Sequence, residues 1–415
     1  MEVALHRLFG SGRRWVLLPV VLFLLTQVFA TGLLLHEKPR QEAIPAGDGF
    51  QYFVRHHAAN PPWVNYVAGW NGQAYREIAT EGYPVAPPRT SDGEVLPNPW
   101  AFYPLYPGLV HGVMALTGLE FGWAAVLVSL LFGLAASVLL FRLIHTFTGR
   151  LWPATAVIAS LLLWPTSPLF QLGYAESTAL FLLVLVLTLI HEKRYLWAIL
   201  PILLLGLTRP VGPPDAALVV LDGLYLGRAY LWPRSQWRLG LAKLRSREAL
   251  SFMALVASTV VAAGLWPLIG WLATGENAFV ESRSAYSGES FFLQWLTHAF
   301  DRSEAYPLTP AVLILFFGLW AFLQFRNRML PMVLRLWTPL LFLYILLVTA
   351  PAGNEERYLM LGLFAWPWLE PPSTGRRRAV YWAAAAGAAL VAFYLQWSWV
   401  HFHWVSETGA LRKNV

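Results

Sequence analysis

The chain has 415 residues, of which 57% are hydrophobic and only 13% charged, about half the charged share of an ordinary soluble domain. Its formal net charge of +7 is dispersed among long apolar runs, which argues against a nucleic-acid surface and for a polytopic membrane protein. With no cysteine, disulfides and thiolate metal sites are ruled out.

The first apolar run, Trp15 to Leu35, is long enough at ~1.5 Å per residue to cross a hydrocarbon core of ~30 Å. No small-residue cleavage site follows it, so it reads as an anchor. Arg7, Arg13 and Arg14 precede it and place the N-terminus in the cytoplasm. Residues 36–120 then form the first extracytoplasmic loop. Further spans are predicted near 121–141, 151–165, 177–191, 195–208, 215–227, 251–274, 309–325, 336–351, 358–369 and 379–400. The expectation is an all-α, multi-pass cell-membrane bundle of about 11 spans, with residues 1–415 as one integral membrane domain. Segment 103–117 is read as lying flat or re-entering. Arg142, Arg150, Lys193, Arg194, the basic stretch 228–247, Arg326, Arg328, Arg335 and Arg376 to Arg378 then all face the cytoplasm.

The stretch from Tyr66 to Pro107 is the longest one poor in membrane-like sequence. Asn71 is predicted to cap a short helix through its side chain. Tyr75, Ile78, Ala79 and Gly82 would share one face, and Gly82 would stop the helix. Pro84, Pro87, Pro88, Pro97 and Pro99 keep the following insert irregular. Trp100 to Pro107 is aromatic and proline-braced, which suits a membrane–water boundary. The plain structural reading is an ordered loop on the membrane; the functional reading is an active-site roof.

Several residues on the outer side carry chemistry. Glu176 opens an apolar helix, where an ionisable group faces a cavity or partner or simply complements the helix dipole. Arg209, in Thr208-Arg209-Pro210, sits at the outer end of a span against the positive-inside trend. It either snorkels or grips a lipid phosphate with its two-pronged guanidinium. Arg357 offers the same choice, with an ion pair to Glu355 or Glu356 as the plain alternative. Asp48 reads first as a turn residue. The histidines His56, His57, His401 and His403 have no carboxylate at metal-ligand spacing, so no metal site is assigned. Neither a Walker A pattern nor GxGxxG after a strand occurs, which removes an ATP-driven pump and a dinucleotide enzyme.

Taken together, these outer motifs resemble the PIG-V family of membrane mannosyltransferases, within the GT-C glycosyltransferases. The resemblance rests on Trp70-Asn71-Gly72-Gln73-Ala74-Tyr75, Ile78-Ala79, Gly82-Tyr83-Pro84 and Ala101 to Pro107. Tyr174 with Glu176-Ser177, Thr208-Arg209-Pro210 and Glu356-Arg357-Tyr358 follow in order, in the manner of an actinobacterial-type member. It implies a GT-C-type bundle that transfers a sugar, mannose by analogy, from a polyprenyl-phosphate donor to a lipid or glycan acceptor at the outer face. Arg209, Arg357, Trp70, Tyr75, Trp100, Tyr103 and Tyr106 would bind the donor. It assigns no cofactor, and a divalent metal is compatible with the chemistry.

There is one departure. The family has Trp-Asp where this chain has Trp70-Asn71, and an amide has no basic lone pair for a proton. The base would then lie at Asp48, Glu77 or Glu176, or the chain is a catalytically impaired relative that binds lipid-linked sugar or assists a partner enzyme. A lipid or sugar transporter is the reading from another class. It calls for ionisable residues at mid-membrane, whereas here the polar residues gather at one face.

Overall fold

The computed structural model describes residues 14–43, 58–231, 246–287, 309–348, 355–363 and 375–405. These residues form helices and turns with no strand beyond one isolated bridge, Arg89 to Val95. The chain divides into two compact units, residues 1–178 with 365–415, and residues 179–364.

The first unit begins with α1 (Leu17–Glu37). Phe23, Gln27, Ala30, Leu34 and Glu37 are buried along it, the three- and four-residue spacing of one helix face. Leu24, Leu25, Val28 and Leu35 are more than half exposed on the same helix. An apolar exterior of this kind is stable when hydrocarbon is the solvent. α2 (Asn71–Glu81), α3 (Leu105–Thr117), α4 (Phe121–Thr148) and α5 (Leu151–Leu162) follow, and α14 (Gly375–Trp399) ends in a π-turn, Val400–Trp404. Between α2 and α3, residues 82–98 form no helix, as the prolines require. α3 has 13 residues and reaches roughly 20 Å, short of a ~30 Å core.

Inside hydrocarbon, burial of apolar area no longer drives helix association, so close packing and polar ties hold the unit. Gln171 donates to the Gln27 carbonyl at 2.6 Å and to its side-chain oxygen at 3.0 Å. Thr31 donates to Gln171 at 2.7 Å. Ser129 of α4 donates to the Leu172 carbonyl at 2.7 Å. The connection before Glu176 is thereby pinned to both α1 and α4. At the head of α4, a Cβ on Gly122 would lie 2.2 Å from the Val64 carbonyl oxygen; only glycine lets the Trp63–Tyr66 turn seat there.

The division between the units falls in the first turn of α6 (Glu176–His191). The second unit continues with α7 (Tyr195–Gly206), α8 (Gly212–Leu231), α9 (Arg247–Thr274), α10 (Ala278–Ser287), α11 (Thr309–Arg326), α12 (Met332–Val348) and the short α13 (Glu355–Leu359). α9 packs on α7 and α8, and α12 on α8 and α11. Trp337 of α12 donates to the Leu361 carbonyl at 2.7 Å, and Gln324 of α11 donates to the Leu334 carbonyl at 3.0 Å. The first of these bonds fixes the turn that follows Arg357.

Among the described residues four helices are long and apolar enough to cross a membrane: Leu17–Arg40, Phe121–Thr148, Arg247–Thr274 and Gly375–Trp404. Shorter apolar helices, including Glu176–His191, Tyr195–Gly206 and Met332–Val348, accompany them. The molecule is thus an all-helical, multi-pass membrane protein.

Candidate functional site

The sequence motifs sort into two clusters, one in each unit. In the first unit the helix α2 starts at Asn71, and Trp70 holds the cap position with no side-chain cap bond. This corrects the expected Asn71 cap. The first-turn donors are already satisfied: Asn71 N–H by the Tyr174 hydroxyl at 3.2 Å, Gly72 N–H by the Gly69 carbonyl at 2.9 Å, and Gln73 N–H by the Trp70 carbonyl at 2.8 Å. A capping side chain has nothing left to do there. The expected apolar face is present, with Tyr75, Ile78 and Ala79 buried, and Gly82 closes the helix at φ 83°.

Trp70 lies at φ 51°, ψ −124°, a backbone conformation a bulky residue avoids and the surroundings must impose. Its indole N–H donates to the Trp404 carbonyl at 2.8 Å. The Tyr174 ring lies 5.5 Å from Trp404 and 6.5 Å from Tyr75, and Tyr75 lies 5.1 Å from Tyr106. Tyr106 is fully buried, 3.2 Å from the Ser129 hydroxyl. Trp100 and Tyr103 are also buried; the Trp100 indole donates to the Pro84 carbonyl at 2.9 Å and packs against Tyr83. Glu176 is buried at the start of α6, while Glu77 is half-buried on α2. Asp48, His56 and His57 lie outside the described residues.

In the second unit, Arg209 and Arg357 converge on one ring. The guanidinium carbon of Arg209 is 5.5 Å from the Tyr358 centroid and that of Arg357 is 5.4 Å. Both arginines are buried, at 7% and 6% exposure, so Arg209 does not reach out into water. Each gains from the negative face of the ring, and the two guanidiniums concentrate positive charge at one buried place. Beside them on α13, burial pushes the Glu356 carboxyl above the usual carboxylate range.

Sequence reading missed two features. Asp215, six residues beyond Arg209 on α8, is 2% exposed, and its Oδ1 has no hydrogen-bond partner. Glu37 is fully buried at the end of α1. It accepts from Trp397 Nε1 at 2.9 Å, lies 2.8 Å from His401 Nδ1 and pairs with Arg40 at 3.5 Å. His401 therefore does have a carboxylate partner, contributed from the other end of the chain. The only sequence signal was an acidic residue closing an apolar run. Among the described residues no three His, Asp or Glu side chains gather as a metal cage.

No protein-family model and no curated protein matches the chain. Solved structures do. ArnT from Cupriavidus metallidurans in the apo state superimposes with a TM-score of 0.50 at 15% identity, over 90% of this chain and 64% of that one. ArnT bound to undecaprenyl phosphate gives 0.50 at 14% identity over the same shares. The archaeal oligosaccharyltransferase AglB from Archaeoglobus fulgidus, in complex with an inhibitory peptide and a dolichol-phosphate, gives 0.48 at 14% identity over 92% of this chain and 56% of that one. The chain spans less than two thirds of the length of each. The ArnT likeness shows the fold alone, a helical membrane fold shared with ArnT.

Proposed function

We propose that this protein is a membrane glycosyltransferase that takes a sugar from a polyprenyl-phosphate carrier and transfers it to a lipid or glycan acceptor at the outer face. The observation that carries this is the pair of buried arginines on the Tyr358 ring. Two guanidiniums, largely shielded from water, suit a phosphate that gains charge as the sugar leaves. The ArnT structure with undecaprenyl phosphate supports a lipid phosphate as the anion.

In the reaction the acceptor hydroxyl oxygen bonds to the anomeric carbon, and the bond from that carbon to the phosphate oxygen breaks. The electron pair leaves with the lipid phosphate, steadied by Arg209 and Arg357. The hydroxyl proton passes to a carboxylate; the sequence motifs nominate Glu176, Glu77 and Asp48, since Asn71 has no basic lone pair. Trp70, Tyr75, Trp100, Tyr103 and Tyr106 are the proposed donor-binding aromatics. The finer reading, mannosyl transfer of the PIG-V kind, rests on the ordered motifs from Trp70 to Tyr358.

The test uses full-length protein in lipid nanodiscs with polyprenyl-phosphate-mannose. Transfer to endogenous lipid or glycan is expected, and Arg209→Ala and Arg357→Ala should each weaken undecaprenyl-phosphate binding by at least about tenfold, the loss of one charge-assisted bond. Wild-type binding in both variants would remove the phosphate assignment. Asn71 favours a second reading, a lipid-linked-sugar binder without turnover, which predicts the same arginine dependence with no transfer.

A further inference from the structure

Four observations in the first unit connect the Glu37 cluster to the Asn71 turn. The Glu37 carboxylate, with no solvent exposure, holds Trp397 Nε1 and His401 Nδ1. His401 lies inside the π-turn Val400–Trp404, so the carboxylate anchors that turn to the end of α1. The turn presents the Trp404 carbonyl to the indole of Trp70 at 2.8 Å. The Trp404 ring packs on Tyr66 at 6.2 Å and on Tyr174 at 5.5 Å, and the Tyr174 hydroxyl accepts the Asn71 N–H. Trp404 thus touches both groups that hold Trp70 and Asn71.

We infer that Glu37 and His401 are positioning residues for the Trp70–Asn71 turn, acting through Trp404. The strain at Trp70 is the reason such a device is needed. A non-glycine residue at φ 51°, ψ −124° is strained and persists only where neighbours over-determine it. The Trp404 carbonyl is one such neighbour, and its place depends on a turn from the far end of the chain. A buried carboxylate is an unusual anchor, since it needs partners on both oxygens to offset its desolvation. Trp397 meets one oxygen, and His401 with Arg40 meets the other. The sugar-transfer role of the turn rests on the function proposed above; the mechanical link does not.

The experiment is a double-mutant cycle between Glu37→Gln, which removes the charge, and Trp70→Phe, which removes the indole donor. It is read by hydrogen exchange of the amides of residues 69–73 and by kcat and KM for polyprenyl-phosphate-mannose. Each single variant should speed exchange at 69–73 by tenfold or more and lower kcat, and Glu37→Gln should do so while KM for the donor holds. The double variant should be no worse than the worse single one, because both break one chain of contacts. Trp397→Phe, which deletes one hydrogen bond, serves where Glu37→Gln fails to fold. Exchange at 69–73 unchanged in Glu37→Gln or Trp397→Phe, or effects that multiply independently, would overturn the link. Coupled exchange with no transfer in the wild type leaves the link standing and removes the transferase reading instead.

Discussion

The backbone N–H of Asn71 donates to the hydroxyl of Tyr174 at 3.2 Å, joining two motifs 103 residues apart. Both lie in the buried aromatic wall of the first unit, where Tyr174 is 3% exposed. Tyr174→Phe keeps the ring and removes the acceptor. The orphaned amide should cost about 1–3 kcal/mol, seen as a lower unfolding temperature in detergent. A variant that melts with the wild type would show that water replaces the hydroxyl there.

Much of this fold was legible because hydrocarbon enforces long apolar helices. α1, α4, α6, α9 and α12 fall close to their predicted spans, and the Tyr75 face of α2 follows from spacing alone. The Asn71 cap was not legible, because its rival acceptors, the Tyr174 hydroxyl and the Gly69 carbonyl, come from elsewhere in the fold. Residue propensity favours Asn at a cap, and tertiary contacts overrode it. Glu37 with His401 was invisible for a similar reason: the partners stand 364 residues apart. The arginines were legible as outward exceptions to the charge rule, but the shared Tyr358 ring was not.

Membrane orientation is open to direct labelling, since the chain has no cysteine. Ser91, exposed in the loop between α2 and α3, should react as Ser91→Cys with an impermeant maleimide in intact cells. A cysteine within 228–247 should react only after permeabilisation. The reverse pattern would invert the topology drawn from the basic residues.

Asp215 invites a stability test. A carboxyl at 2% exposure with an oxygen lacking a hydrogen bond must either hold its charge desolvated or give it up on folding, and either costs stability at neutral pH. Asp215→Asn has the same shape without the charge, so the unfolding temperature at neutral pH should rise. A concurrent loss of sugar transfer would mark the acid as retained for function at the expense of stability. A fall in stability would show that the carboxylate has a partner in the working protein.

The sharpest test concerns Asn71. On the proposed reading, Asn71 stands where a Trp-Asp motif would place a carboxylate, so Asn71→Asp supplies the acid at that position. Because Asn71 is the first residue of α2 rather than its cap, the new charge lies in the first turn. The helix dipole favours it there by about 0.3–1 kcal/mol, and the Tyr174 bond to the backbone N–H is untouched. Stability should therefore hold or rise slightly, and any change in turnover reports on proton transfer. If the base is vacant, transfer should rise by roughly 10²–10⁴-fold, the usual worth of general-base help. If Glu176, Glu77 or Asp48 already serves, Asn71→Asp adds little, and Glu176→Gln, Glu77→Gln or Asp48→Asn removes activity instead. Full transfer by a chain with all three acids neutralised and Asn71 intact would exclude every one of these bases, and the proton acceptor would have to be sought outside both motifs.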